Sequence, residues 1–245
     1  MYHFFAPAEN GESGTIHITG ADRNHIVRVL RLTCGDRVSV SDGNDRDWLC
    51  EIASVNDEEV ILTVLPDERE DTELPVSVSL FQGIPKGDKT ETILQKCVEL
   101  GLAEYVPVAM KRCVVKIDEK KKDARRERWQ RIAESAAKQS GRRIIPAVGA
   151  VIPFSDAVAG ASGFDAVLVP YECAEDMAYT RRVLSEITPG SRIAVFIGPE
   201  GGFAPEEIES LREAGAKIIT LGPRILRTET AGMTLLAMGS LLWQP

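Results

Sequence analysis

Gly198, Gly201 and Gly202 fall between an apolar run, Ile193 to Ile197, and a polar run that opens with Pro205. A glycine-rich turn between strand and helix lets backbone approach a ligand closely. The stretch from Phe196 to Phe203 reads FIGPEGGF. The dinucleotide fingerprint requires G-x-G-x-x-G and the P-loop requires G-x-x-x-x-G-K-[ST], and neither spacing is present. No lysine follows in the Walker position, and Glu200 would repel a phosphate set against the turn. The turn therefore suits a neutral or cationic ligand, or is no more than the tight connection of an α/β unit. A second stretch, LGPRILRTETAGM from Leu221 to Met233, places a turn with Gly222 and Pro223 before an apolar helix. Thr228 is a candidate N-cap, flanked by Arg227 and Glu229, and Gly232 one turn in permits close approach. Taken alone, this is equally a capped helix with a local ion pair.

The elements around these stretches alternate. Apolar runs at 76–82, 105–110, 165–170, 192–197 and 217–222 read as strands. Helical patterns lie near 87–101, 120–140, 174–187, 205–214 and 229–242. Asp88 and Glu91 have capping-box spacing, Gly101 and Gly215 mark helix ends, and Pro205 fits a first helical turn. Strand–helix alternation predicts a mostly parallel α/β sheet, with its ligand at the carboxyl ends of the strands. The turns after 165–170, 192–197 and 217–222 then share one edge. Residues 1–70 differ: strands at 15–19, 37–41, 48–55 and 59–65 predict a small β-barrel, followed by an acidic linker at 66–75. Between those strands, ADRNHIVRVLRLTCGD reads as a helix with Asp22 as N-cap. Ile26, Val29 and Leu30 share its apolar face, Arg28 and Arg31 project away, and Arg23 sits at the border.

Composition narrows the function. The chain of 245 residues is 44% apolar, enough for one large domain or two modest ones. There is no run of 18 apolar residues, so no membrane span is expected. The first residues lack the basic and apolar regions of a secretory signal, so a cytoplasmic protein is expected. Cys34, Cys50, Cys97, Cys113 and Cys173 are scattered and form no C-x-x-C pair. Reduced, buried thiols are therefore expected, with no metal site. His3, His17 and His25 all lie near the N-terminus, which rules out a catalytic histidine in the C-terminal half. Net charge is −8, yet Lys111 to Arg143 holds 13 basic and five acidic residues, a local +8 that leaves −16 elsewhere. Such asymmetry suits a polyanion, or a solvated helix face.

Together, IGPEGGFAPEEIE and LGPRILRTETA resemble the RsmE family of SPOUT-superfamily methyltransferases. The resemblance runs nearly the whole chain. HIVRVLRLTCGD (25–36) is similar to that family's PUA-like RNA-binding domain. KGDKTETILQKCVELGL (86–102), KRCVV (111–115) and ERWQRIAESAAKQSGRRIIP (127–146) are similar to its central segments. His3 departs from the arginine that relatives commonly place before Phe4 and Phe5. The resemblance implies a PUA-like domain over 1–70, a SPOUT domain with a C-terminal trefoil knot over 71–245, and a homodimer with the pocket at its interface. It implies S-adenosylmethionine as cofactor and N3 of uridine 1498 in 16S ribosomal RNA or the small subunit as target. Carried across, the pocket comprises Gly198, Glu200, Gly202, Leu221, Gly222, Ile225, Leu226 and Thr228, with the turn at Val169 as a third wall.

That chemistry needs no metal, because the methyl group is already activated. Arg227 is the candidate cation beside the charge developing on the uracil, and Glu229 a proton acceptor or an orienter of Arg227. Arg23, Arg28, Arg31, Lys86, Lys89, Arg112, Arg142 and Arg143 are candidate phosphate contacts, positioning RNA without reading it. Two alternatives stay open: a non-catalytic RNA-binding protein, and a related enzyme acting on another nucleotide.

Overall fold

The computed structural model of the chain describes residues 1–7, 13–66, 71–115, 119–172, 174 and 176–244. It divides into two compact units, Met1–Glu73 with Ala137–Ile145, and Leu74–Ala136 with Pro146–Pro245. The first unit thus draws on two stretches of chain where one was expected. The linker read at 66–75 lies partly outside the described residues.

In the first unit, β1 (Tyr2–Phe5), β2 (Thr15–Thr19), β3 (Arg37–Ser41), β4 (Asp47–Val55) and β5 (Glu59–Leu65) form one sheet in the order β1-β3-β4-β5-β2. Its period is two: Ile16 and Ile18, Val38 and Val40, Cys50 and Ile52, Val60 and Leu62 all point into one core with Phe4 and Ile26. A bulge between Ile52 and Ser54 bends β4. The sheet curls into a half-barrel, with β1 and β2 as its edges, the form that the expected small barrel takes here.

The expected helix in this unit also differs. A short α1 (Gly20–Asn24) runs into a π-helical turn, His25–Leu30, closed by the Arg31 N–H on the Ile26 carbonyl. The wider turn puts Ile26, Val27 and Leu30 against the core and leaves Val29 exposed. Asp22 is no cap; it pairs with Lys138 at 3.0 Å. Arg28 and Arg31 are exposed. Arg23 is buried, and its Nε donates to the Asn56 carbonyl at 3.1 Å. Arg142 is buried too, its Nε on Glu73 Oε2 at 3.1 Å, while Glu73 Oε1 accepts the Arg143 and Ile144 N–H groups. Arg143 pairs with Asp71 at 2.7 Å and Asp45 at 2.9 Å. These three arginines therefore close the unit on itself, which corrects their reading as phosphate contacts.

The second unit is built on a parallel sheet. Its strands are β6 (Ser77–Gly83), β7 (Glu104–Ala109), β8 (Ala147–Val148), β10 (Ala166–Pro170), β11 (Arg192–Ile197) and β12 (Lys217–Ile219), in the order β12-β10-β11-β6-β7-β8, with β9 (Ile152–Pro153) also on β7. Helices α2 (Lys89–Glu99), α3 (Lys122–Ser140), α4 (Phe154–Gly160), α5 (Met177–Ser185), α6 (Pro205–Glu213) and α7 (Thr228–Trp243) connect and cover them. On one face Phe81, Val106, Val169 and Phe196 pack with Ala157 of α4 and with Ile208 and Leu211 of α6. The Phe81 and Phe196 rings stack at 4.7 Å. On the other face α2, α5 and α7 bury Ile93, Leu94, Val183, Leu184, Leu235 and Leu236. Gly101 ends α2 at φ +94°. The capping box does not form: Asp88 is the N-cap residue but makes no side-chain bond, and Glu91 pairs with Arg128 at 2.6 Å.

No helix among the described residues is long and apolar enough to cross a membrane. Of the cysteines, Cys50 and Cys97 are buried, Cys113 is half-buried and Cys34 is exposed, which corrects the expectation of burial for Cys34. Cys173 lies outside the described residues.

Candidate active site

Four adjacent strands, β12, β10, β11 and β6, end at one edge of the parallel sheet. Parallel sheets bind ligands there because the connecting loops diverge above the strand ends. The loops here enclose a cavity of about 490 Å³, within the usual range for a small-molecule site. Three walls form it: Pro170–Glu172 after β10, Gly198–Phe203 after β11, and Thr220–Thr228 after β12. Lys89, Arg112, Ile197 and Ala231 complete the lining.

The glycine turn is fixed from several sides. The Gly202 N–H closes it on the Pro199 carbonyl at 2.9 Å, and Gly202 itself has φ +68°. Gly83, the last residue of β6, lies so close behind that a Cβ there would come within 2.6 Å of Pro199 Cδ. Glu200 Oε1 accepts the Lys86 N–H at 3.0 Å and pairs with Lys89 Nζ at 3.0 Å. Arg112 Nη1 donates to the Gly201 carbonyl at 3.1 Å. Beyond the turn, buried Glu207 accepts the Ala204 N–H at 2.7 Å and the Lys111 N–H at 2.8 Å.

Thr228 joins the second and third walls. Its hydroxyl donates to the Gly198 carbonyl at 2.6 Å and accepts from Gln82 Nε2 at 2.8 Å. Gln82 is fully buried at the end of β6 and also donates to the Gly83 carbonyl. Thr228 is therefore not the expected N-cap: Arg227 occupies that position, without a side-chain cap bond, and Thr228 opens the helix. A hydroxyl in the first turn is free to bond outside its own helix, and here it spends both its donor and its acceptor on tertiary partners.

Charge in the site is concentrated on Lys89, which also meets Glu229 at 3.1 Å. Burial opposes ionisation of Glu200, but the Lys86 and Glu200 N–H groups and Lys89 outweigh it and lower its pKa. Burial likewise opposes ionisation of Glu229, and its own N–H, Lys89 and the nearby Arg227 charge lower it. The two carboxylates in turn raise Lys89 against its partial burial. All three groups are thus charged across the neutral range.

A family model for an RNA methyltransferase domain matches residues 72–240, and one for an RNA methyltransferase PUA domain matches 18–65. The ribosomal RNA small subunit methyltransferase E of Bacillus subtilis is 38% identical over 229 residues, 92% of this chain and 90% of that one. The chain belongs to the ribosomal RNA small subunit methyltransferase E family. The Synechocystis relative of that name is 32% identical over 96% of this chain and 76% of its own. A crystal structure of the Neisseria gonorrhoeae protein bound to S-adenosyl methionine superposes with a TM-score of 0.82, at 30% identity over 99% of this chain and 98% of that one. The protein is accordingly an RNA methyltransferase with an α/β catalytic domain and a PUA domain.

For this methyltransferase, the residues expected at the pocket are placed as follows. Gly198, Glu200, Gly202, Leu221, Gly222, Ile225, Leu226, Arg227 and Thr228 line the cavity. Val169 does not: its side chain is buried in the sheet core, and Pro170, Tyr171 and Glu172 supply that wall. Ile225 is 83% exposed. Glu229 lies behind the lining, on Lys89. Lys86 and Arg112 are exposed, but Lys89 is held between two carboxylates, so its expected phosphate contact is corrected. Sequence reasoning missed Gln82, Gly83 and the site role of Lys89. The available signal was their position at and just after the end of a central strand. Among the described residues, no group of three or more His, Cys, Asp or Glu is placed to hold a metal ion.

Proposed function

We propose that the protein transfers the methyl group of S-adenosylmethionine to N3 of uridine 1498 in 16S ribosomal RNA. The observation that carries this is the cavity at the ends of β12, β10, β11 and β6, walled by a turn that lacks both phosphate fingerprints and carries the ionised Glu200. Its size suits a nucleoside linked to an amino acid, and an anionic turn suits a sulfonium centre. When bound, the cofactor supplies an activated methyl group. The protein's own task is then to present an unpaired or flipped uracil and to favour its N3 anion. With an N3 pKa of roughly 9, ionisation near neutral pH costs about 3 kcal/mol. Arg227 is exposed on the cavity lining and suits the cation that lowers this cost. Glu229 has a lowered pKa and is a poor base, so it suits orienting Arg227 better than taking the proton. Exposed Arg28, Arg31, Lys86 and Arg112 remain as RNA-phosphate contacts.

The reading includes a trefoil-knotted C-terminus and a homodimer acting in the cytoplasm. Leu241 and Leu242 of α7 are exposed apolar side chains, as an element buried against a second copy requires. Mass mapping of methylated nucleotides in 16S RNA from a deletion strain tests the target: loss of methylation at uridine 1498 alone is expected. Unchanged methylation there overturns it. Calorimetry tests the cofactor: S-adenosylhomocysteine should bind and NAD should not, and tighter binding of NAD would sink the reading.

A further inference from the structure

We infer that Lys89 is a positioning residue that locks the cofactor pocket, by tying the turn after β11 to the helix after β12 through one ammonium group. This rests on the cofactor reading above. Lys89 opens α2, directly after β6, the strand that neighbours β11. Its Nζ lies 3.0 Å from Glu200 Oε1 and 3.1 Å from Glu229 Oε2. Glu200 is in the glycine turn, and Glu229 is in the first turn of α7, next to Thr228. The three side chains are only 19–29% exposed, so the contacts are partly shielded from solvent. Three chain segments, which follow β6, β11 and β12, thereby meet at one atom.

The arrangement differs from a surface ion pair. Two carboxylates that share a single ammonium lie close to one another, and without it they repel across a partly desolvated gap. Glu200 keeps two further donors, the Lys86 N–H and its own N–H, and Glu229 keeps its own helix N–H. None of those donors links the two walls. Gln82 and Thr228 join the same walls from below by neutral hydrogen bonds, so Lys89 supplies the charged half of the connection. Loss of Lys89 should therefore spread the walls rather than unfold the unit.

The test is calorimetric titration of the full-length protein with S-adenosylhomocysteine, with the melting temperature measured in parallel. Lys89→Met should weaken binding about tenfold or more. Lys89→Arg, which can still span two carboxylates, should stay within about threefold of the unchanged protein. Glu229→Gln added to Lys89→Met removes the repulsion and should recover most of the lost affinity, a rescue that a merely helix-stabilising lysine would not show. Undiminished binding by Lys89→Met, or no recovery in the double variant, overturns the inference. Should Lys89→Met fail to fold, the Arg variant carries the test, and a loss of binding there greater than tenfold overturns it. If the unchanged protein itself fails to bind S-adenosylhomocysteine, the cofactor reading fails instead, and the two failures are distinct.

Discussion

Replacing Thr228 by Val tests whether the pocket walls are held by the hydroxyl or by shape alone. The two side chains have nearly the same volume, and Thr228 is buried, so packing changes little. The hydroxyl is lost from between two partners: the Gly198 carbonyl at 2.6 Å and Gln82 Nε2 at 2.8 Å. Gln82 retains its bond to the Gly83 carbonyl, so one of its N–H groups is stranded in a fully buried site. A stranded buried group costs about 1–3 kcal/mol, and the added methyl returns just under about 1 kcal/mol. The net loss is about 1 kcal/mol, which for a chain of this size lowers Tm by about 2–4 °C. Gly198 is also released from its donor, and the ligand must then reorder the turn. S-adenosylhomocysteine affinity should fall about 10- to 30-fold by calorimetry. Thr228→Ser keeps the hydroxyl and should bind within a few-fold of the unchanged protein. Binding by Thr228→Val within twofold of the unchanged protein would refute the reasoning, whatever its Tm.

Gly83→Ala places a methyl 2.6 Å from Pro199 Cδ and should cut cofactor affinity about tenfold, whereas Gly163→Ala, with open space around it, should change neither affinity nor Tm. Arg227→Ala should slow single-turnover methyl transfer by about two to three powers of ten, with partial recovery at higher pH as solvent ionises the uracil. Near-normal rates with a lowered Tm would instead make Arg227 a helix-end residue only. The depressed carboxylates of Glu200 and Glu229 stabilise the fold above their ordinary value of 4.5 and lose that contribution as pH falls through their lower folded values. The raised Lys89 contributes below its ordinary 10.5 and fades only as pH rises through its higher folded value. The difference in Tm between the unchanged protein and Lys89→Met should therefore be flat from pH 6 to 9 and shrink below about pH 4.5; a slope across neutrality would contradict this assignment.

How much of this was legible in the sequence depended on whether the deciding contact was local. The strands at 15–19, 37–41, 59–65 and 192–197 carry their own period, and the fold keeps those limits. β1 has only four residues, and it is defined by a parallel partner some 36 positions away, Tyr2 beside Val38, so no local pattern announces it. Capping patterns misled for a related reason. Asp22 and Thr228 have side chains that could cap, but Lys138 and the Gly198 carbonyl lie within reach and take them. Arginine counts revealed the basic region without saying which cations stay available to RNA. Arg142 is consumed by Glu73 and Arg23 by the Asn56 carbonyl, partners that only the folded chain brings near. Lys89 is the sharpest instance, since a lysine that opens a helix reads as solvated until residues 111 and 140 positions away arrive beside it.

The same contacts explain why a glycine-rich turn here need not be a flexible one. Pro199 is backed by the end of β6, where Gly83 leaves no space for a side chain. Glu200 is held by the Lys86 N–H and Lys89, and the Gly201 carbonyl by Arg112. Gly202 then turns the chain at φ +68°, and a Cβ there would meet nothing within 4 Å. Glycine at this last position is set by backbone conformation, not by crowding. A β-branched residue such as Val would strain the turn without striking the protein behind it. The expected result of Gly202→Val is therefore a loss of both stability and cofactor binding, and not the intact fold that a simple blocked pocket would leave. A turn fixed in this way presents its backbone to a ligand already ordered, so little binding energy is spent in arranging it. Ligand specificity then follows from which groups the fixed turn exposes: backbone amides, an ionised carboxylate, and no phosphate-binding lysine of the Walker type.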